Sequence, residues 1–455
     1  MENSPFHTNT RRSNESPYKR SRYHALCLIG LFAVCFVGLS ILAQSETKSD
    51  HTQSQYLQRL SFLEDPAAAL SATQALARQQ SFQSTGERSL NFGLSDSVFW
   101  VWVAASVDDA SQDLRLELGY PHLDQLDVYR IINGKPERQF RMGDSVPFGQ
   151  RPVKDRTFVL PITSELSGQP VDLLLRVQSK GSIQLPIQVK TVNHYQLDDR
   201  DEQLMLGFYY GILLSVLAYN LLLAVGTREP VYGYYCAYAV FLSLFQFSQN
   251  GLAFEYLWQE STRWHQVSIP FFASMALLFC ARFTQQFLNL TRQDSPRLYF
   301  AYQLMIGIFA ILAVASFVAD RGLIITLVSV AVSVAGIFMI STSYYLYLKG
   351  DDNAFYYLLA WTILLFGIVI YAGKTLGVVP ENFITEYSVQ IGSAIEMILL
   401  SYALADRFSR LRDENVRVHA EAKATLEMRV KQRTQELQQA MLQFEAANDQ
   451  LAMLS

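Results

Sequence analysis

Beyond residue 201 the chain turns from mixed polar sequence into apolar stretches long enough to cross, as helices, a hydrocarbon core roughly 30 Å thick. Seven are predicted, at 205–225, 232–253, 265–283, 299–319, 323–346, 355–377 and 386–405, and the short polar connections make neighbours antiparallel. Lys and Arg placement orients them, because positive loops resist translocation. One set of loops holds Arg228, then Arg282, Arg292 and Arg297, then Lys349, and leads to a tail with Arg407, Arg410 and Arg412. The opposite set has Arg263 and Arg321. The richer set is therefore expected in the cytoplasm, with the carboxyl terminus, and the region before residue 205 in the periplasm.

The other end of the chain agrees. A polar basic segment is followed by an apolar run at 24–43 and a polar stretch at 44–55, the pattern of a secretory signal or an uncleaved anchor. Arg11 and Arg12 lie too far from the apolar run for a twin-arginine signal. The segment after residue 44 is thus expected to be exported. Cys27, Cys35, Cys236 and Cys280 all lie in apolar stretches and none falls between 44 and 204, so the exported part must fold on core packing without a disulfide. The net charge of -4 is small and the basic residues are dispersed, which argues against a nucleic-acid partner.

Between 89 and 189 apolar residues alternate: Leu114, Leu116, Leu118; Val171, Leu173, Leu175, Val177; Ile183, Leu185, Ile187, Val189. A period of two predicts half-buried strands. Turn chemistry separates them at Gly119-Tyr120-Pro121, Asn133-Gly134, Gly143-Asp144, Arg151-Pro152 and Lys180-Gly181, which suits an antiparallel β-sandwich or jelly roll. Residues 407–455 are polar and helix-favouring, with Val430, Leu437, Phe444 and Leu451 at seven-residue spacing and Ala440, Ala447 and Leu454 at the companion position. That predicts a coiled coil, first as a parallel dimer. Phe408, Leu411 and Val418 fit another heptad phase, so the register slips near Leu426. The expected parts are a basic segment with its signal or anchor (1–43), a periplasmic sandwich (44–200), a seven-helix membrane domain (203–406) and a cytoplasmic coil (407–455).

Several motifs carry a family resemblance. In the exported part they are Leu63-Glu64-Asp65-Pro66, Asp96-Ser97-Val98-Phe99-Trp100-Val101-Trp102, Leu118-Gly119-Tyr120-Pro121-His122-Leu123-Asp124, and Gly143-Asp144 followed by Arg151-Pro152. In the membrane part they are Phe208-Tyr209-Tyr210-Gly211 with Tyr219-Asn220, Phe245-Gln246 through Gly251-Leu252, and Glu396-Met397 with Ala403-Leu404-Ala405-Asp406-Arg407. Their order resembles the bacterial seven-transmembrane receptors with diverse intracellular signalling modules, bearing the second type of extracellular sensing domain. The resemblance implies a jelly-roll sensor akin to carbohydrate-binding modules and a coil feeding a diguanylate cyclase, a histidine kinase or a similar output. Residues 426–437, LEMRVKQRTQEL, are similar to the connector before such outputs. The sequence stops at Ser455, where an output would begin, and carries neither a GGDEF-like signature nor kinase nucleotide-binding boxes, so no enzymatic activity of its own is expected.

Trp100, Trp102, Tyr120 and Tyr129 can offer aromatic platforms to a sugar face, and Asp124, Asp127, Arg151 and Arg176 can hydrogen-bond hydroxyls or carboxylates. Against this, alternation puts both Trp residues on one strand face, where burial is the default, and the two arginines can pair with nearby carboxylates to lock turns. Within the membrane, Glu396 falls near the middle of the seventh segment, where a charged carboxylate costs roughly 2.5–3.5 kcal/mol on insertion scales. Asn220, Gln246, Gln249 and Asn250 are its candidate partners, and Glu396, Asn220 and Gln246 its candidate coupling group; Lys374 is expected to snorkel outward. A satisfied packing group without a switching role explains Glu396 equally well. The seven histidines lack metal-ligand spacing, and there is no phosphate loop, nucleophile elbow or paired acid and base, so neither metal nor cofactor is expected. The expected function is a multi-pass receptor of the bacterial inner membrane that senses a periplasmic ligand, dimerises through its coil and addresses a cytoplasmic output protein. The alternatives are a transporter with a periplasmic capture domain, or a fragment of a receptor cyclase or kinase.

Overall fold

The computed structural model of the chain describes residues 56–84, 89–106, 113–162, 171–375, 379 and 383–454; the expected signal or anchor at 24–43 lies outside them. Among the described residues ten strands make up the first part: β1 (Leu57–Asp65), β2 (Gln83–Ser84), β3 (Ser89–Leu94), β4 (Val98–Ala105), β5 (Leu114–Leu118), β6 (Gln125–Ile132), β7 (Lys135–Met142), β8 (Phe158–Ile162), β9 (Val171–Gln178) and β10 (Ser182–Thr191). They form a six-stranded sheet, β2-β1-β4-β9-β6-β7, and a four-stranded sheet, β3-β10-β5-β8. Every pairing is antiparallel. The three alternating sets read from the sequence all point into one core that both sheets share. Period-two patterning puts one face of each strand inside, and that burial holds the two sheets together.

β4 is buried along its whole length. Phe99, Val101 and Val103 enter the shared core, while Val98, Trp100 and Trp102 face the other way into a smaller one. That second core is closed by Ala75 and Leu76 of helix α1 (Ala72–Ala77). α1 is short, and a capping box holds its start: Ser71 Oγ accepts from the Gln74 N–H at 3.3 Å, and Gln74 Oε1 accepts from the Ser71 N–H at 2.9 Å.

The second part is helical: α2 (Val192–Thr227), α3 (Pro230–Gln249), α4 (Leu252–Tyr256), α5 (Thr262–Phe287), α6 (Pro296–Ala315), α7 (Arg321–Leu348), α8 (Asp352–Thr375), α9 (Phe383–Glu386) and α10 (Ser388–Leu454). A long helix overlies each of the seven expected segments. Six of them, α2, α5, α6, α7, α8 and α10, are long and apolar enough to cross a membrane. α3 is not among the six; Tyr232, Tyr234, Tyr235 and Tyr238 lower its apolar character, and three of them are buried. α10 runs unbroken for 67 residues. The chain divides at Ser401 into two compact units, the second starting at Tyr402. In that second unit the side chains from 409 to 443 are exposed, including the heptad residues Val430 and Leu437.

One glycine in the sandwich has no substitute. Gly143 takes φ +129°, and a Cβ there would collide with the backbone carbonyl of Asp124. Its flatness lets the 143–145 turn lie against the 121–124 turn, where the Asp144 N–H donates to the Leu123 carbonyl at 2.8 Å. Gly143→Ala is expected to cost about 2 kcal/mol or more, through strain and a forced separation of the two turns. Thermal unfolding of the full chain checks this; an unchanged midpoint would mean the turns are not packed in this way.

Candidate functional site

The turns at one end of the sandwich meet the ends of helices from the bundle, and a buried carboxylate sits at the centre of the contact. Asp144 is fully enclosed. Its Oδ1 lies 3.3 Å from His265 Nε2 on α5, its Oδ2 3.8 Å from His122 Nδ1, and Arg321 Nη2, at the start of α7, donates to Oδ2 at 3.2 Å. Asp124 completes the group: its Oδ1 pairs with the Arg321 guanidinium and its Oδ2 accepts the Lys180 N–H at 2.7 Å. Burial alone would push the Asp144 carboxyl up. The imidazoles of His265 and His122, when protonated, outweigh it and hold the group well below the usual carboxylate range.

Both imidazoles are fixed by further contacts. His122 Nε2 donates to the Gln249 carbonyl at the end of α3, at 2.7 Å. His265 stacks on Phe254 of α4 with ring centroids 4.1 Å apart and accepts the indole N–H of Trp258 at Nδ1, at 3.4 Å. The segment between α3 and α5 is thus a platform on which the sandwich rests. Gly251 takes φ +78° there, and a Cβ would come within 2.8 Å of the Arg156 carbonyl and 3.0 Å of Pro121. The Phe148 N–H donates to the Gln259 carbonyl at 2.9 Å.

Two arginines brace the same contact. Arg151 Nη1 donates to the carbonyls of Asp155, Arg156 and Thr157 at 2.8, 3.0 and 3.0 Å, and its guanidinium lies over the rings of Phe148, Phe158 and Phe254. Desolvation draws it down to about 10. It locks a turn, as one reading of the sequence expected, but through carbonyl oxygens rather than carboxylates. Arg156 pairs with Glu202 on α2 and donates to the Asn250 carbonyl at 3.2 Å. Burial works against its charge, and the Glu202 carboxylate more than restores it.

The residues singled out from the sequence do not gather at one place. Tyr120, Asp124 and Arg151 lie at the contact with the bundle. Trp100, Trp102, Asp127, Tyr129 and Arg176 lie on the outer side of the six-stranded sheet. There both Trp residues are buried beneath α1, Trp102 Nε1 donates to Asp172 Oδ1 at 3.0 Å, and Arg176 approaches Asp127 at 3.9 Å. Asp144, His122, His265 and Arg321 were not singled out. The argument from histidine spacing fails here, because folding brings His122 and His265 to one carboxylate although they are remote in sequence.

A second polar group lies within the bundle. Glu396 is fully buried on α10, and its partner is Tyr238 of α3, whose hydroxyl donates to Oε1 at 3.0 Å. Asn220, a candidate partner by sequence, instead donates to Ser401 Oγ at 2.7 Å, and Asn250 donates to the Tyr210 hydroxyl at 2.8 Å. The Tyr209 hydroxyl lies 2.9 Å from Ser393 Oγ. Gln246 is buried on α3. Lys374 pairs with Glu386 near the end of α8, away from Glu396. Polar contacts therefore fasten the first turns of α10 to α2 and α3.

Comparison with known proteins agrees with this architecture. A family model described as 7TMR-DISM extracellular 2 matches residues 57–191, and one described as 7TM diverse intracellular signalling matches residues 202–407. No curated protein matches the chain. The two matches meet at the junction of sandwich and bundle and together span most of the sequence: the chain belongs to the seven-transmembrane receptors with diverse intracellular signalling modules and carries the second type of their extracellular domain.

Proposed function

We propose that this protein is an inner-membrane receptor whose periplasmic sandwich binds a ligand and passes the change through seven membrane helices to a cytoplasmic coil. α3 is the seventh span, its tyrosines sheltered by the helices around it. The exposed heptads of α10 pair in parallel with those of a second copy, and a separate output protein reads the coil. The observation that carries this reading is the contact around Asp144, which ties sandwich turns to α3, α5 and α7 through buried polar groups rather than through a free linker. Such a contact has discrete arrangements, and a ligand that prefers one of them shifts the population.

The ligand face is the outer row of the six-stranded sheet. Trp100, Arg176, Asp127 and Arg141 are successive cross-strand neighbours there. Trp100 is sealed beneath α1, whereas Asp127 lies 3.9 Å from Arg176 and 3.8 Å from Arg141, and Arg141 is half exposed. Guanidinium groups beside a carboxylate and partly open to solvent suit hydroxyl-rich or carboxylate ligands.

The test uses the full chain in lipid nanodiscs, screened by thermal shift against sugars, cell-wall fragments and small carboxylates. One class should raise the midpoint, since binding to the native state alone stabilises it. The same ligand should change hydrogen exchange at 388–401 of α10, and Glu396→Gln should remove that distant change while leaving binding intact. A ligand that stabilises the sandwich with no effect on α10 would contradict the proposal. Arg321→Ala leaves Asp124 and Asp144 facing each other without their cation, a loss expected to cost about 3 kcal/mol or more. Faster exchange at 143–157, with β4 and β9 still protected, is the expected signature; unchanged exchange would show that the sandwich does not depend on this ion pair.

A further inference from the structure

His122, Asp144 and His265 are each more than nine-tenths buried, and one donor atom from each lies within 4.8 Å of the other two. Four ligands held tetrahedrally at about 2.0–2.1 Å from a zinc ion are roughly 3.3–3.5 Å apart. The 3.3 Å from His265 Nε2 and the 3.8 Å from His122 Nδ1 to the Asp144 oxygens are close to that spacing.

The hydrogen bonds say which atoms are free. His122 Nδ1 and Asp144 Oδ1 are buried without a hydrogen-bond partner. His122 Nε2 spends its proton on the Gln249 carbonyl, so in the neutral ring Nδ1 turns a lone pair toward a carboxylate. His122 Nδ1 and Asp144 Oδ2 then face each other at 3.8 Å as two acceptors with no proton between them, and Oδ1 faces His265 Nε2. Asp124 and Asp144 share the Arg321 guanidinium between them.

We propose that His122 Nδ1, Asp144 and His265 Nε2 bind a divalent transition metal of the zinc type, clamping the sandwich to α5. Two imidazoles and one carboxylate suit such an ion, whereas calcium and magnesium take oxygen ligands. Three protein ligands leave one coordination position for water. Coordination at His265 Nε2 moves the remaining ring proton to Nδ1, which now accepts the Trp258 indole N–H, so the indole turns away and reports the ion. The site does not depend on the receptor reading, since a metal can clamp this contact whether or not the clamp transmits a signal. A protonated His122 is the competing way to satisfy the same atoms.

The full chain, purified on a tag without histidine, is reconstituted in nanodiscs, stripped with a chelator and dialysed against zinc. The proposal expects close to one zinc per chain by mass spectrometry, a higher unfolding midpoint with zinc than with chelator, and a zinc-dependent change in Trp emission. Trp258→Phe should keep the zinc and lose the emission change, and His122→Gln and His265→Gln should lose the zinc. Wild-type protein that retains no stoichiometric zinc and unfolds at the same midpoint in zinc and chelator would overturn the proposal in favour of a protonated imidazole. Undiminished zinc in both histidine variants would also overturn it, as adventitious binding elsewhere.

Discussion

A carboxylate with no access to water must be held by charge or by hydrogen bonds, and Asp144 meets that constraint only with groups from two folds. His122 comes from the sandwich, His265 and Arg321 from the bundle, and none of the three can be withdrawn without leaving the buried acid short of a partner. The contact is therefore specific in orientation. Apolar surface alone would let the sandwich slide on the helix ends; charged and hydrogen-bonded groups fix one register. Gly143 and Gly251 serve the same end by letting backbones approach where a Cβ would hold them apart.

From there the polar contacts continue. Gln249 accepts the His122 proton at the end of α3, and one residue later Asn250 meets Tyr210 of α2 and Gln390 of α10. Deeper in the bundle, Tyr238 on α3 donates to Glu396 on α10. The sandwich thus touches α3 at its end, and α3 touches α10 through Tyr235 and Tyr238. Each step is a hydrogen bond between buried or part-buried groups, and such groups change partners rather than stretch.

Most of the architecture was legible in the sequence because it rests on periodicity. Leu114, Leu116 and Leu118 alternate, and the structure puts all three in the core. The apolar lengths beyond residue 201 located the long helices, and only α3, with its tyrosines, fell short in apolar character. Glu396 stood out as a carboxylate in an apolar stretch, but Tyr238 did not stand out as its partner, because a tyrosine in a membrane segment reads as packing. The contact site was least legible. Gly143-Asp144 read as a turn, and nothing local distinguishes an aspartate that ends in water from one that ends between two imidazoles. His122 and His265 are joined only by the docking of one fold on another, which no spacing along the chain encodes.

The central claim is that the contact around Asp144 makes the sandwich and the bundle one cooperative body. Native-state hydrogen exchange of the full chain in nanodiscs, followed as urea is raised, tests it most directly. The account predicts that the segment at 249–265 and the sandwich turns at 121–124 and 143–157 open together, with one free energy and one urea dependence. Turns that open at low urea while 249–265 stays protected would show two folds merely tethered, and would contradict it.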